Sequence, residues 1–185
     1  GITLFVLGMI LFFLMNLVIK PYWLDNSKAR LVDPDLSSVE VFSSASAGIV
    51  AFIMILLVNY AIINYFPAQL APKTITATTN SVNFAVVEEV FFRLGLQVLL
   101  MYIGTAGVGI GINAFFGTVY HGYRYGTNPE FLLIVFFAWI IIGVAFYAAK
   151  GRLTATLIPH ILVNFVSTPP EGFQGAAFQG VTLPF

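Results

Sequence analysis

Long apolar runs separated by short polar segments are the main pattern in this chain of 185 residues. The first run, Ile2–Ile19, is long enough for one membrane-spanning helix at a rise of about 1.5 Å per residue. The polar segment Lys20–Ser38 follows and contains Pro21 and Pro34, which exclude a continuous helix. The pattern therefore predicts a span, a polar connection and then a second block of apolar runs.

The later runs predict five more helices, at about Ser43–Tyr65, about Thr74–Tyr102, Gly104 to about Tyr123, Phe131 to about Ala149, and from the turn Lys150–Arg152 through Val166. The expected fold is an all-α, polytopic transmembrane bundle of about six helices. We predict one domain over residues 1–185, with its motif-bearing core at about 74–167. Gly1 stands where a Met is expected, so we expect the N-terminus to be trimmed.

Composition supports an integral membrane protein, because 59% of the residues are hydrophobic and 9% charged, whereas about a quarter are charged in soluble domains. We expect a multi-pass protein in contact with membrane lipids, in the cell membrane if the source is prokaryotic. Formal net charge is zero and no basic patch stands out, so no nucleic-acid partner is predicted. The absence of cysteine excludes disulfides, thiolate catalysis and thiolate metal sites.

Glycines are concentrated in the fourth predicted helix. Gly107 and Gly111 have the small-xxx-small spacing that allows two helix backbones to approach closely. We therefore expect these two glycines to lie at a helix contact.

Three formal charges lie in the third helix, in the stretch VVEEVFFR from Val86 to Arg93. At the bilayer centre each charge costs roughly 2.5–3.5 kcal/mol, so such groups pair, line a wet cavity or take part in chemistry. Glu89 and Arg93 are spaced i, i+4 with Glu first, which is the favourable order for an ion pair. Glu88 has no cation three or four residues later, so we expect a histidine on another helix to support it.

The only two histidines lie on other predicted helices. His121 is near the end of the fourth, and His160 shares one face of the sixth with Asn164, again at i, i+4. If these side chains converge with Glu88, they supply a base, a second proton-handling group and two hydrogen-bond donors. That set suits hydrolysis by an activated water, with the donors stabilising an oxyanion. The GxSG, GxGD and HExxH signatures of other intramembrane proteases are absent.

The motifs EEVFFR, then His121, then HILVN (His160 to Asn164) resemble the CPBP family, which contains type II CAAX prenyl endopeptidases and bacteriocin-processing or immunity proteins. The similarity covers about Ser81–Val166. It implies that Glu88 and His121 activate the water, that His160 and Asn164 form the oxyanion hole, and that Glu89 and Arg93 support them. The family has a Phe four residues before the second-motif histidine, where this chain has Gly117; we expect a packing change there.

Two alternatives remain open. Glu88, His121 and His160 match a catalytic zinc site in ligand type, although we favour a mechanism without a cofactor, in which Asn164 has a function. Intramembrane Glu, His and Arg residues also occur in proton-coupled transporters, and some relatives serve as immunity or scaffold proteins. For the hydrolase, the expected substrate is a peptide or prenylated protein with a lipidated or membrane-embedded segment near the scissile bond.

Membrane orientation is predicted differently by two features. The loops after the first, third and fifth helices hold more positive charges than the loops between them, which places the observed termini outside by the positive-inside rule. The site, however, is expected to open towards the loops after the second and fourth helices. A CAAX-type protease should open to the cytosol, so the two predictions conflict.

Overall fold

The described part of the chain is almost entirely helical. The computed structural model describes residues 38–65, 79–125 and 129–166, together with residues 6, 8 and 10. Its elements in chain order are α1 (Ser38–Tyr65), α2 (Thr79–Glu89), a π-helical segment (Val90–Gln97), α3 (Val98–Ile103), α4 (Ala106–Tyr125), α5 (Pro129–Ala148) and α6 (Thr154–Val166). No strand occurs within these ranges, which confirms the predicted all-α class.

The segment α2, the π-helical segment and α3 form one continuous helix. Counted in this way, the described elements are five helices at the positions where the sequence predicts helices two to six. The first predicted helix, Ile2–Ile19, lies outside the described residues except for residues 6, 8 and 10, which are helical. Gly8 lies against the π-helical segment, since a Cβ added to it would be 2.7 Å from the Phe91 Cα atom. The structure therefore describes five of the six predicted helices.

Among the described residues, two helices are long and apolar enough to cross a membrane by length and composition: Val41–Ile62 within α1, and Pro129–Ala148, which is α5. Both present large apolar side chains on the outside, such as Leu57 at 58% exposure and Val144 at 49%. Exposed apolar surface of this kind is expected on the lipid-facing side of a membrane helix.

Helix α5 is central to the bundle, because it packs against α1, α4, α6 and the π-helical segment. Within the described ranges, the apolar core has three clusters. The first contains Val90, Leu94, Val98, Phe146 and Leu153; the second Phe92, Ala114, Phe131, Val135 and Trp139; the third Ile55, Ile142 and Val163. Since α5 contributes to all three, it fixes the relative positions of the helices that provide the polar site.

The connection from α5 to α6 is a tight turn. Lys150 and Gly151 adopt left-handed backbone angles, with φ of 54° and 81°. The Gly151 N–H donates to the Phe146 carbonyl at 2.9 Å, closing the end of α5. Glycine tolerates this conformation without steric cost. The turn places α6 directly against the helix that precedes it.

The prediction for Gly107 and Gly111 was wrong. A Cβ added at either position meets nothing within 4 Å among the described residues, whereas one at Gly109 would be 2.8 Å from the Met101 backbone nitrogen. The close approaches of α4 therefore involve Gly109 and Gly117. These two glycines share a helix face with Asn113 and His121 at four-residue spacing.

Candidate active site

The interior of the bundle contains an unusual amount of polar material for an apolar chain. Glutamate, arginine and histidine are almost never fully buried unless they are paired. The buried polar and charged residues are Ser44, Glu88, Glu89, Arg93, Gln97, Asn113, His121, Thr156, His160 and Asn164. All six residues singled out in the sequence, Glu88, Glu89, Arg93, His121, His160 and Asn164, are in this group.

The ion pair predicted from spacing is present. Arg93 Nε donates to Glu89 Oε2 at 3.1 Å, and both side chains are fully buried. Because the α-helix ends at Glu89 and the π-helical segment begins at Val90, the pair spans the junction between the two. A fully buried pair is stable only when the remaining polar atoms of both groups are also satisfied.

His160 brings the two glutamates together. Its Nδ1 is 2.7 Å from Glu89 Oε1, and its Nε2 is 3.5 Å from Glu88 Oε2. A carboxylate is an acceptor only, so the 2.7 Å bond places the proton on Nδ1 and turns Nε2 towards Glu88. The sequence predicted a histidine beside Glu88, but it did not predict that Glu89 would make the shorter contact with that histidine.

His121 lies on the other side of Glu88. Its Nδ1 donates to the Gly117 carbonyl at 2.7 Å, one turn earlier on α4. Its Nε2 is then directed at Glu88 and is 3.8 Å from Oε2. Both imidazoles therefore present Nε2 to the same carboxylate oxygen, at 3.5 Å and 3.8 Å, which is longer than a usual direct hydrogen bond.

Helix α6 contributes a polar stripe. Thr156, His160 and Asn164 are four residues apart, so their side chains share a face, and all three are buried. The Thr156 hydroxyl donates to the Leu153 carbonyl at 3.0 Å. Asn164 lies one turn beyond His160, as its i, i+4 spacing predicts.

The π-helical segment extends the polar column beyond Arg93. Arg93 Nη1 donates to Gln97 Oε1 at 3.0 Å, and Gln97 Nε2 donates to the Gly143 carbonyl of α5 at 3.0 Å. In an α-helix, two residues four positions apart are rotated about 40° beyond one full turn. A π-helical turn has i→i+5 bonds and contains more residues, so two residues four positions apart are no longer rotated beyond a full turn. Glu89, Arg93 and Gln97 thus remain in one column.

Asn113 completes the surroundings of Arg93 from α4. With its amide oriented so that Nδ2 donates to the Phe92 carbonyl at 3.0 Å, Oδ1 accepts from Arg93 Nη1. Sequence reasoning missed both Gln97 and Asn113. Gln97 could have been found, because it continues the four-residue spacing of Glu89 and Arg93; Asn113 could have been found from its register with His121.

The space beside Gly117 is filled by Trp139 of α5. A Cβ at position 117 would be 2.5 Å from Trp139 Cδ2, so only glycine admits the indole here. This is the packing change expected where the chain departs from the resembled motif. The sequence predicts only that Trp139 lies within an apolar helix.

No group of three or more His, Asp or Glu side chains is arranged to hold a metal ion within the described ranges. Glu88 Oε2 is 3.5 Å and 3.8 Å from the two imidazole nitrogens. The steps proposed below use only the side chains of this chain, and the chelation test addresses zinc.

One of three comparisons with known proteins gives a match. The model of the family described as type II CAAX prenyl endopeptidase Rce1-like matches residues 69–166, which is just over half of the chain and includes every residue of the site. Comparison with the curated proteins gives no match, and neither does comparison with the solved structures.

Proposed function

Because the chain belongs to the type II CAAX prenyl endopeptidase Rce1-like family, we propose that it is an intramembrane endopeptidase that cleaves beside a lipidated or membrane-embedded segment. The family is one of membrane-embedded proteases. The observation that supports a hydrolytic site most directly is the position of Glu88 Oε2, buried between the Nε2 atoms of His160 and His121.

Glu88 is the proposed general base. A water held between Glu88 and His121 gives one proton to the carboxylate, and its oxygen attacks the scissile carbonyl carbon. The carbonyl oxygen becomes an oxyanion in a tetrahedral intermediate. When the C–N bond breaks, the leaving amine takes back the proton from Glu88 or through the His121 imidazole. Atoms and protons balance, and no covalent intermediate with the enzyme is needed.

His160 and Asn164 are the proposed oxyanion donors. The contact with Glu89 fixes the His160 ring, and when Nε2 also carries a proton it can donate to the oxyanion while Nδ1 remains bonded to Glu89. The Asn164 amide, one turn along α6, supplies the second donor. Removing one oxyanion donor typically lowers kcat by about 10²–10³-fold, which is the loss expected for Asn164→Ala.

Substrate class follows from the surroundings of the site. The bundle is coated with apolar side chains, so a substrate that reaches Glu88 must tolerate an apolar environment. A peptide or prenylated protein with a membrane-associated segment meets this requirement. We therefore propose a multi-pass membrane enzyme whose partners are lipids and such substrates.

The test is cleavage of a fluorogenic prenylated peptide and of a membrane-peptide library by the purified protein. Glu88→Ala and His160→Ala should abolish cleavage, whereas Glu130→Ala, a carboxylate at the start of α5 outside the site, should retain it. Each protein is assayed with and without a strong chelator. Cleavage that survives chelation and is lost in both site variants supports the metal-free mechanism.

The other outcomes separate the alternatives. Loss of cleavage on chelation with recovery on zinc addition would replace the mechanism with a zinc-dependent one. Cleavage by Glu88→Ala at the wild-type rate would contradict the assignment of the base. If the folded wild type cleaves none of the peptides, a scaffold, immunity or proton-coupled transport role gains support.

A further inference from the structure

Trp139 contacts several groups of the polar site, although it belongs to none of the sequence motifs. The side chain is 3% exposed and lies on α5, which carries none of the proposed catalytic residues. We propose that Trp139 is a positioning residue that holds Arg93 and the His121 ring in place. The inference rests on the proposed function, since it concerns the same site.

The first contact is with the Arg93 guanidinium, whose Cζ atom lies 4.3 Å from the indole centroid. The edge of the guanidinium bonds Glu89 Oε2 at 3.1 Å and Gln97 Oε1 at 3.0 Å, so the polar edge and the face have separate partners. A planar guanidinium stacks well on an aromatic face, and the attraction is largest when both groups are removed from water. Trp139 therefore fixes the plane in which Arg93 presents its N–H groups to Glu89.

The second contact is with the histidines. The indole centroid is 5.6 Å from the His121 ring and 6.4 Å from the His160 ring, in tilted, edge-on arrangements. The indole thus bounds one side of both imidazoles that face Glu88. If Trp139 shifts, both rings gain room to rotate away from the carboxylate.

Gly117 connects these contacts. Its missing side chain leaves room for the indole, since a Cβ would be 2.5 Å and 2.6 Å from Trp139 Cδ2 and Cε3. Its carbonyl accepts the His121 Nδ1 proton at 2.7 Å. A side chain at position 117 would therefore displace the indole at the residue that also orients His121.

The competing explanation is that Trp139 only fills the core, because it also packs with Phe92, Ala114 and Val135. A filler predicts loss of stability without a change in the chemistry of the molecules that remain folded. A positioning residue predicts a lower kcat per folded molecule with KM unchanged, because Trp139 would act by holding Arg93 and the His121 ring and not by binding the substrate.

The kinetic experiment uses Trp139→Leu, Trp139→Phe, Gly117→Ala and the double variant Gly117→Ala/Trp139→Leu. We expect Trp139→Leu to lower kcat roughly ten- to hundredfold with KM within about twofold, and Trp139→Phe to lie between it and wild type. Gly117→Ala alone should lower kcat by a similar factor. In the double variant it should cause no further loss of kcat, because the indole that the new methyl group would overlap is no longer present. The control is Phe146→Leu, a fully buried aromatic two turns along α5 in an apolar cluster, which should keep kcat.

A readout independent of turnover separates failure of this inference from failure of the proposed function. The chain has only two histidines, so the ring ¹⁵N signals of His121 and His160 can be assigned by single substitutions. Nitrogen shifts respond to hydrogen bonding far more than to ring currents. Trp139→Leu should move the His121 Nδ1 signal away from its hydrogen-bonded value, and Phe146→Leu should not, even if no substrate is ever cleaved. Unchanged nitrogen signals in Trp139→Leu, or wild-type kcat per folded molecule, would overturn the inference.

Discussion

Arg93 is the largest fully buried side chain among the described residues, and its Nε, its Nη1 and the plane of its guanidinium have partners. Glu89 and Gln97 accept from its N–H groups, and Trp139 covers its plane. A buried charge left without partners is costly, and the partners that hold it also define one geometry for it. The network thus explains how three formal charges remain inside an apolar bundle.

The stability losses caused by removing Glu89 and by removing Arg93 should not add when both are removed. Glu89→Gln or Arg93→Met alone leaves an uncompensated buried charge, and the expected loss in the free energy of unfolding is about 3–5 kcal/mol. The double variant should lose clearly less than the sum of the two single losses, because no buried charge is left without its partner. Denaturant unfolding in detergent micelles measures these values.

The control for this cycle is Glu130→Gln on α5, which is partly exposed and outside the network. A change within about 0.5 kcal/mol is expected there. If the two single losses simply add in the double variant, Glu89 and Arg93 do not stabilise each other, and the energetic account of the pair fails.

Local spacing made much of the site predictable at this scale. The Glu89–Arg93 pair and the shared face of His160 and Asn164 follow from a four-residue step along one helix. The 2.7 Å contact between His160 and Glu89 joins residues 71 apart in sequence, so it depends on how α2 and α6 pack. The bonds of Gln97 to Gly143 and of Asn113 to Arg93 also join separate helices. They were missed in addition because a neutral amide inside an apolar run carries no charge that would mark it in the sequence.

At the scale of the element, the glycines of α4 show what a spacing motif can and cannot predict. Gly107 and Gly111 have the expected spacing, yet the close contacts belong to the face that contains Gly109 and Gly117. The motif gives the spacing of the two glycines along the helix, but it does not show which side of the helix faces a neighbour. The polar residues Asn113 and His121 on the second face indicate the inward side, because polar groups in a membrane helix turn towards the bundle interior.

Alanine at Gly109 and at Gly111 should therefore have opposite effects. In Gly109→Ala the new methyl group would be 2.8 Å from the Met101 backbone nitrogen, so α3 and α4 must separate. Overpacking of this kind costs about 1–3 kcal/mol. Gly111→Ala meets nothing within 4 Å among the described residues and should gain up to about 1 kcal/mol of helix propensity. Thermal unfolding of both variants in the same detergent tests the sign; destabilisation of equal size in both would contradict the assigned inward face.

The π-helical segment was not predicted, because nothing in the sequence of Val90–Gln97 separates a π-helical turn from an α-helical one. The bonds that accompany it come from elsewhere: Asn113 of α4 donates to the Phe92 carbonyl, and Gly143 of α5 accepts from Gln97. Segments of this type are often found at functional sites. Here the segment begins directly after the two glutamates, so its wider turn sets the direction of Arg93 relative to them.

For the whole molecule, the helix order and the positions of five helices were predictable from apolar runs, since a bilayer fixes how long such runs must be. Orientation was not, because it depends on a small excess of charged loop residues that conflicts with the expected opening of the site. His121 lies four residues before the end of α4, about 6 Å along the helix axis. The site is therefore nearer to the membrane face at which α4 ends and α5 begins.

Cysteine labelling can decide the orientation, because the chain contains no cysteine of its own. Tyr123 at the end of α4 is 93% exposed, and Lys150 follows the far end of α5. If α5 crosses the membrane, a membrane-impermeant maleimide should label Tyr123→Cys and Lys150→Cys from opposite sides in oriented vesicles. Leu57→Cys and Val144→Cys, which face outward from α1 and α5, should react only after detergent is added, since lipid covers them.

The side on which Tyr123 reacts then bears on the substrate. Prenylated protein tails are cytosolic, so the proposed function expects Tyr123→Cys to be labelled from the cytoplasmic face and Lys150→Cys from the opposite one. The reverse result would agree with the positive charges of Lys150 and Arg152 being inside, and would exclude a cytosolic prenylated tail in favour of a substrate presented on the other side. Labelling of both positions from one side would contradict a membrane-spanning α5.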